Sequence, residues 1–289
     1  MSNSIFADKD RIILGSANFS LKYGLANNFN KINLKEIKKI IRSCEKNDIN
    51  FIDTSKGYGD SEKLIGNLKN KKWNIITKIP KIELNKKKDI EIRIFKSIED
   101  SLNNLKVRKL YAVLLHDENQ LLCKNAVFVY DILRKLKKNK LVKKIGVSFY
   151  SSKKLIKIIS AFNIDLVQIP INYINRDFLK NNILKKIKNK KIEIHARSIF
   201  LQGLLLKNNI KHKKFIKFYK FLNEWHKINK FSKLETSLNF INSIKYVDKY
   251  VLGFENLKQI NEILKIQEKK INIFPYYKDN FIKDPRKWK

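Results

Sequence analysis

Four residues, Asp53, Tyr58, Lys78 and His116, have the types and placement to deliver a proton to an oxygen. Asp53 closes the apolar run "FID", Lys78 follows "IIT", and His116 follows "VLL". Tyr58 lies between two glycines in the loop beyond Asp53. A phenol is a poor acid at neutral pH, with an unperturbed pKa of roughly 10. A cation beside it stabilises the phenolate and makes the proton easier to give. Lys78 is suited to be that cation, with Asp53 keeping it charged and fixed through an ion pair. His116 can donate a hydrogen bond to a substrate oxygen without carrying a charge.

The set therefore suits protonation of a carbonyl oxygen while another agent delivers electrons to the carbon. No side chain supplies hydride, whereas a nicotinamide cofactor does. Taken singly, each residue has a plainer explanation: Asp53 as a turn cap, Lys78 as a surface lysine, His116 as a packed core histidine. Their arrival at one rim from neighbouring strands favours a joint role.

The elements that must position them alternate along the chain. Short β-branched runs at 11–15, 49–53, 73–78, 110–116, 143–148, 164–169, 191–196 and 250–254 read as strands. Stretches of helical period follow them, at 33–47, 61–68, 89–105, 125–138, 151–161, 177–188, 212–228 with 232–243, and 256–266. In 89–105, for example, Ile90, Ile94, Ile98 and Leu102 mark one face. Nearly continuous hydrophobicity in the strands indicates a parallel sheet covered on both sides. Eight such units predict an α/β fold, a closed (β/α)8 TIM barrel, with an open doubly wound sheet as the rival. No linker interrupts the run, so residues 1–289 read as a single domain, with 267–289 as a C-terminal tail near the barrel mouth. In a barrel of this kind chemistry belongs at the C-terminal ends of the strands, where the four residues fall.

Composition narrows the function classes. The formal net charge is +36, from 63 Lys+Arg against 27 Asp+Glu, and 43% of residues are apolar. The lysines are spread over nearly every helical stretch, and no nucleic-acid reader motif accompanies them, so no nucleic-acid partner is expected. The positive field favours anionic ligands, phosphorylated cofactors included. Cys44 and Cys123 have no metal-ligand spacing, which argues against a structural zinc or a disulfide framework. Neither a signal peptide nor a membrane span is read, so a soluble, cytoplasmic protein is expected.

The segments "FIDTSKGYGDSEKLIG", "ITK", "LLH", "IGVS", "QIPINYINR" and "LQGLLL" resemble, in order and spacing, the aldo-keto reductase superfamily. The resemblance covers essentially the whole chain. It implies a (β/α)8 barrel that binds a nicotinamide dinucleotide in extended form across its mouth and reduces a small-molecule carbonyl substrate. Tyr58 is then the general acid, supported by Lys78 and Asp53, with His116 orienting the carbonyl. Ser148 and Gln168 match the residues that hold the carboxamide, and Gly15, Ser16 and Ala17 match the loop after the first strand. "LGSANFSLKYGLANN", "ARSIFLQGLLL" and "DPRKW" resemble bacterial members associated with surface-polysaccharide or sugar metabolism, which favours an aldehyde, ketone or keto-sugar.

Three positions depart from the family pattern. Phe149 stands where many members place an asparagine against the carboxamide. Arg197 stands where many stack a tyrosine on the nicotinamide. A guanidinium can stack there, but its charge disfavours the oxidised ring, so a preference for reduction is expected. In "LGFENLKQINEIL", Gly253 and Gln259 occupy the places of the basic partners of the adenosine 2′-phosphate, with Lys258 adjacent. The following helix offers its N-terminus to a phosphate, with Asn256 as cap, while Glu255 repels phosphate and suits ribose hydroxyls. NADPH is the expected cofactor, as in most of the superfamily, with NADH as the alternative.

Gly57 and Gly59 are expected to free the backbone that presents Tyr58. His195 reads as structural, and His212 and His226 as solvent-exposed. Lys22, Tyr23 and Lys56 fall in loops at the mouth. Three rival functions remain in view. One is a nicotinamide-binding regulatory or partner subunit with weak turnover, against which the intact four-residue set counts. Another is a lyase using Lys78 as a Schiff-base amine, which needs a neutral lysine that Asp53 opposes. The third is the nucleic-acid binder already argued against.

Overall fold

Apolar runs such as Ile12–Gly15 and Leu110–Leu115 need cover on both faces, and a sheet closed on itself inside a ring of helices provides it. The computed structural model describes residues 4–22, 24, 32–83 and 86–288. Its strands are β1 (Ile12–Gly15), β2 (Phe51–Asp53), β3 (Asn74–Ile79), β4 (Leu110–Leu115), β5 (Val142–Ser148), β6 (Leu166–Pro170), β7 (Glu193–Arg197) and β8 (Lys249–Gly253). Every pairing is parallel and follows chain order, and β8 returns to β1 to close the barrel. The expected (β/α)8 fold is therefore present.

The helices are α1 (Ala17–Ser20), α2 (Leu34–Lys46), α3 (Ser61–Leu68), α4 (Lys87–Leu105), α5 (Ala126–Lys138), α6 (Ser152–Ala161), α7 (Ile183–Asn189), α8 (Ile216–Asn229), α9 (Lys233–Asn242) and α10 (Leu257–Lys265). Their starts follow local chemistry. In α2 the Asn33 side chain accepts from the Glu36 N–H, and Ile37, Ile40, Ile41 and Cys44 turn one stripe to the barrel. Each buried isoleucine contributes roughly 1.5–3 kcal/mol relative to exposure. Ser232 and Glu235 form a reciprocal capping box at α9. The helix expected over 177–188 is broken instead. A 3-10 turn covers Asp177–Asn182, Asn181 and Asn182 adopt left-handed φ of 53° and 55°, and α7 begins only after them. Asparagine tolerates that conformation better than most residues. Among the described residues no helix is long and apolar enough to cross a membrane.

Strand alternation layers the barrel interior. Side chains two residues apart share a face, so the residues just before the strand ends fix which groups line the mouth. Ile13, Phe51, Ile76, Leu114 and Leu166 pack together as an apolar middle layer. Two residues beyond them come Gly15, Asp53, Lys78, His116 and Gln168. Below the apolar layer lies a polar floor. The Glu193 carboxylate accepts from Tyr111 at 2.8 Å, lies 2.7 Å from His195 Nε2 and pairs with Lys144. Burial pushes this carboxyl up, but the bonds from His195, Lys144 and Tyr111 outweigh it and hold the group well below the usual range. His195 is fully buried in this floor, the structural place expected for it.

Candidate active site

β2 runs in register with β3, Asp53 opposite Ile76, which sets Lys78 one inward step higher on the neighbouring strand. Lys78 is 1% exposed, and its Nζ donates to Asp53 Oδ1 at 2.6 Å and to the Thr54 carbonyl at 2.9 Å. Gln168 reaches across from β6 and donates to Asp53 Oδ2 at 2.7 Å. Both carboxylate oxygens are thus engaged, as a buried charge requires. Burial pushes the Lys78 ammonium down, and contact with Asp53 offsets part of that.

Tyr58 is held by a tight turn: its N–H donates to the Ser55 carbonyl at 2.9 Å, and its carbonyl accepts from Ser61 N–H at 3.2 Å. Of the flanking glycines only Gly59 has a positive φ, 57°, and a Cβ there would lie 2.7 Å from Ser20 Oγ. Gly57 has an ordinary φ and ordinary space, so it is not the residue that permits the turn. The Lys78 Nζ lies 5.0 Å from the centroid of the Tyr58 ring, and the His116 ring meets that ring edge-on at 5.8 Å. Asp53, Tyr58, Lys78 and His116 are therefore brought together.

The electrostatics correct one expectation. Burial pushes the Tyr58 phenol up, the Asp53 carboxylate adds to the rise, and Arg197 is the cation that opposes it. Lys78, in direct contact with Asp53, forms with it a closely matched ion pair beside the phenol. Burial, Lys78 and Arg197 push His116 down to about 4, leaving a neutral imidazole beside the Ser55 hydroxyl, with Nδ1 to Oγ at 3.4 Å.

A cavity of about 690 Å³ opens in front of this group, within the range of small-molecule sites. Asp53, Tyr58, Gln168 and Arg197 line it, as do Gly15, Ser16 and Ala17 after β1. It extends over the segment following β7 to Gly253, Glu255 and Gln259. Lys78, His116, Ser148 and Asn256 stand outside its lining. Ser148 is buried beside Gln168 in the barrel register. Asn256 caps α10, accepting from the Gln259 N–H at 3.0 Å. Among the described residues no cluster of metal-ligating side chains occurs.

Arg197 donates to the Phe149 carbonyl at 3.0 Å and to Ser198 Oγ at 3.2 Å, so Phe149 contributes its backbone where the family pattern has an asparagine side chain. Its guanidinium packs 4.2 Å from the Tyr150 ring centroid, and Arg286 of the tail packs 4.1 Å from the same ring. This arginine–tyrosine–arginine contact was not read from the sequence. His226 is a second correction. It is half-buried and lines the cavity rather than facing solvent, because α8 and the turn after it fold over the cavity edge. Lys233 lines the same wall and had no sequence signal beyond the Ser232–Glu235 cap around it. Lys22 and His212 are exposed, Lys56 pairs with Asp100 of α4, and Tyr23 lies outside the described residues.

The Aldo/keto reductase family profile matches residues 11–273. The chain belongs to the aldo/keto reductase family. Family membership makes it a carbonyl-reducing oxidoreductase of a class that generally uses nicotinamide cofactors. An aldo-keto reductase from Bacillus halodurans, solved in its holo form, superposes with a TM-score of 0.72 at 14% identity, covering 90% of this chain and 88% of that one. A glycerol dehydrogenase from Gluconobacter oxydans does so with a TM-score of 0.69 at 20% identity, covering 91% and 88%. An aldo-keto reductase from Pseudomonas aeruginosa gives 0.67 at 17% identity, covering 89% and 88%. At these identities the likeness speaks for the fold. No curated protein matches the sequence.

Proposed function

We propose that the protein reduces an aldehyde or ketone, a sugar or keto-sugar among the candidates, with Tyr58 as general acid and NADPH or NADH as hydride source. The observation that carries the reading is the buried Lys78–Asp53–Gln168 chain directly beneath Tyr58. The cavity also fits a dinucleotide. It is large enough, it reaches from Tyr58 to the start of α10, and three buried polar atoms of its lining residues, Asn18 Oδ1, Arg197 Nε and His226 Nε2, have no protein partner. In this reading Gln168 and Arg197, which line the cavity near Tyr58, hold the ring end, and Glu255, Gln259 and the N-terminus of α10 hold the nucleoside end.

When bound, the nicotinamide supplies hydride to the carbonyl carbon. The carbonyl π pair moves onto oxygen and takes the Tyr58 proton, forming the alcohol O–H bond, and the phenolate is reprotonated from solvent. A phenol raised by burial stays protonated at neutral pH, and a nascent alkoxide is basic enough to remove its proton. In this reading neutral His116, whose ring meets Tyr58 edge-on, donates a hydrogen bond to the substrate oxygen. The Asp53–Lys78 pair supports the phenol from below and limits the excess negative charge there.

The test is a fluorescence titration with NADPH and NADH, followed by cofactor oxidation against a panel of aldehydes and keto-sugars. Binding with turnover on at least one carbonyl is expected. Tight binding with no turnover on any carbonyl would favour a regulatory role, and absence of dinucleotide binding would sink the proposal.

A further inference from the structure

The cavity wall formed by the α8–α9 connection carries a cation that the chemistry at Tyr58 does not use. Lys233 is half-buried, and its ammonium donates to the Lys207 carbonyl, to Asn208 Oδ1 at 3.1 Å and to Asn223 Oδ1 at 2.6 Å. All three partners are neutral. Glu235, the carboxylate nearest in sequence, is taken by Lys269. With the Tyr219 ring 5.6 Å from the ammonium as its other recorded contact, this half-buried charge has no anionic partner among the described residues and leaves room for one.

The same wall holds a second unfinished contact. His226 Nδ1 lies 2.8 Å from the Phe231 carbonyl. A carbonyl only accepts, so Nδ1 carries the proton and the neutral ring turns a lone pair out through Nε2. That atom is buried and has no protein partner. The part of the cavity lining that follows β8 brings Glu255 and Glu262 and no lysine or arginine. Among the lining cations, Arg197 is committed to Phe149 and Ser198 at the Tyr58 end.

Resting on the dinucleotide reading above, we propose that Lys233 is this chain's phosphate-binding cation for the cofactor, with His226 Nε2 accepting from a hydroxyl or amino group of the same nucleotide. The phosphate oxygen replaces the neutral Asn208 amide on Lys233, exchanging an ion–dipole hydrogen bond for an ion pair. The cation that the cavity lining after β8 lacks is thus supplied by the α8–α9 connection.

Calorimetric titration of the full-length protein with ADP-ribose, NADH and NADPH tests this without reference to turnover. Lys233→Gln is expected to raise the dissociation constant about tenfold, the scale of a hydrogen bond to a charged group. Lys233→Arg should retain most of the affinity. Asn208→Asp neutralises the ammonium while leaving the lysine in place, so it should weaken binding as well and stands in if Lys233→Gln folds poorly. Lys227→Gln on the exposed face of α8 should change nothing. A loss shared by all three ligands puts the diphosphate on Lys233, and a loss confined to NADPH puts the 2′-phosphate there. Unchanged affinity of Lys233→Gln and Asn208→Asp for all three overturns the proposal. Failure of the wild-type protein to bind any of them overturns the cofactor reading itself.

Discussion

Lys78 and Asp53 form an ion pair sealed inside the barrel mouth, Nζ to Oδ1 at 2.6 Å, with both side chains at most 5% exposed. Neither charge has water to fall back on. Removing one partner leaves the other buried, with Gln168 or the Thr54 carbonyl as its remaining contact. Lys78→Met should therefore destabilise the fold by about 3–5 kcal/mol in urea denaturation. Asp53→Asn combined with Lys78→Met should cost less than the two single changes summed, because the double variant buries no lone charge. An additive pair would show that the two charges are solvated independently.

Tyr58→Phe removes the proposed proton and little else, since the Tyr58 contacts described above are backbone bonds and ring packing. Cofactor affinity should stay within a factor of about two, while turnover falls by about 10²–10⁴, the usual scale of general acid catalysis. Comparing the dissociation constant with kcat for the same variant separates proton donation from binding. A variant that turns over as fast as wild type would remove Tyr58 from its role.

The barrel and the four-residue cluster were legible because both follow from local pattern. Asp53, Lys78 and His116 sit where period-two alternation brings inward-facing positions to the strand ends, and Ser61–Leu68 begins and ends where its polar start and apolar face require. What was not legible depends on partners far away in sequence. Tyr150 lies between the chemistry of Arg197 and Arg286, and no local period links these positions. Glu193, Tyr111 and Lys144 look like strand-edge polar residues until the barrel closes and turns them onto one another. His226 belongs to a lysine-rich helix, yet the turn through Phe231 folds it over the cavity. The sign of the Tyr58 shift was misread for a related reason. The ion pair beside the phenol was read from the sequence, but the depth of burial that outweighs it appears only in the folded barrel.

Arg197 faces the cavity beside Tyr58 and opposes the rise of its phenol. A fixed positive charge there disfavours a cationic oxidised ring relative to a neutral reduced one. Arg197→Met should lower the ratio of reductive to oxidative kcat/KM and tighten binding of the oxidised cofactor relative to the reduced one. Parallel titrations with both redox forms read the effect directly. Equal changes in the two affinities would mean that the charge does not discriminate between them.

Acid should loosen this protein in two separable steps. Burial and the Lys78 and Arg197 charges hold His116 at about 4 in the fold, against 6.5 unfolded. The unfolded chain then takes up this proton first, so stability falls as pH drops from about 6.5 to about 4. Glu193 is a carboxyl held below its unfolded value of 4.5 by His195, Lys144 and Tyr111, so its contribution is intact above that pH and declines below it. Urea midpoints measured from pH 7 to pH 3 should show both slopes. His116→Gln should flatten the upper window and leave the lower one. Glu193→Gln should flatten the lower window and cost roughly 2 kcal/mol at pH 7, where hydrogen bonds to a charged acceptor are lost. A wild-type midpoint that holds constant from pH 6.5 to pH 4.5 would show that His116 titrates alike in folded and unfolded chains.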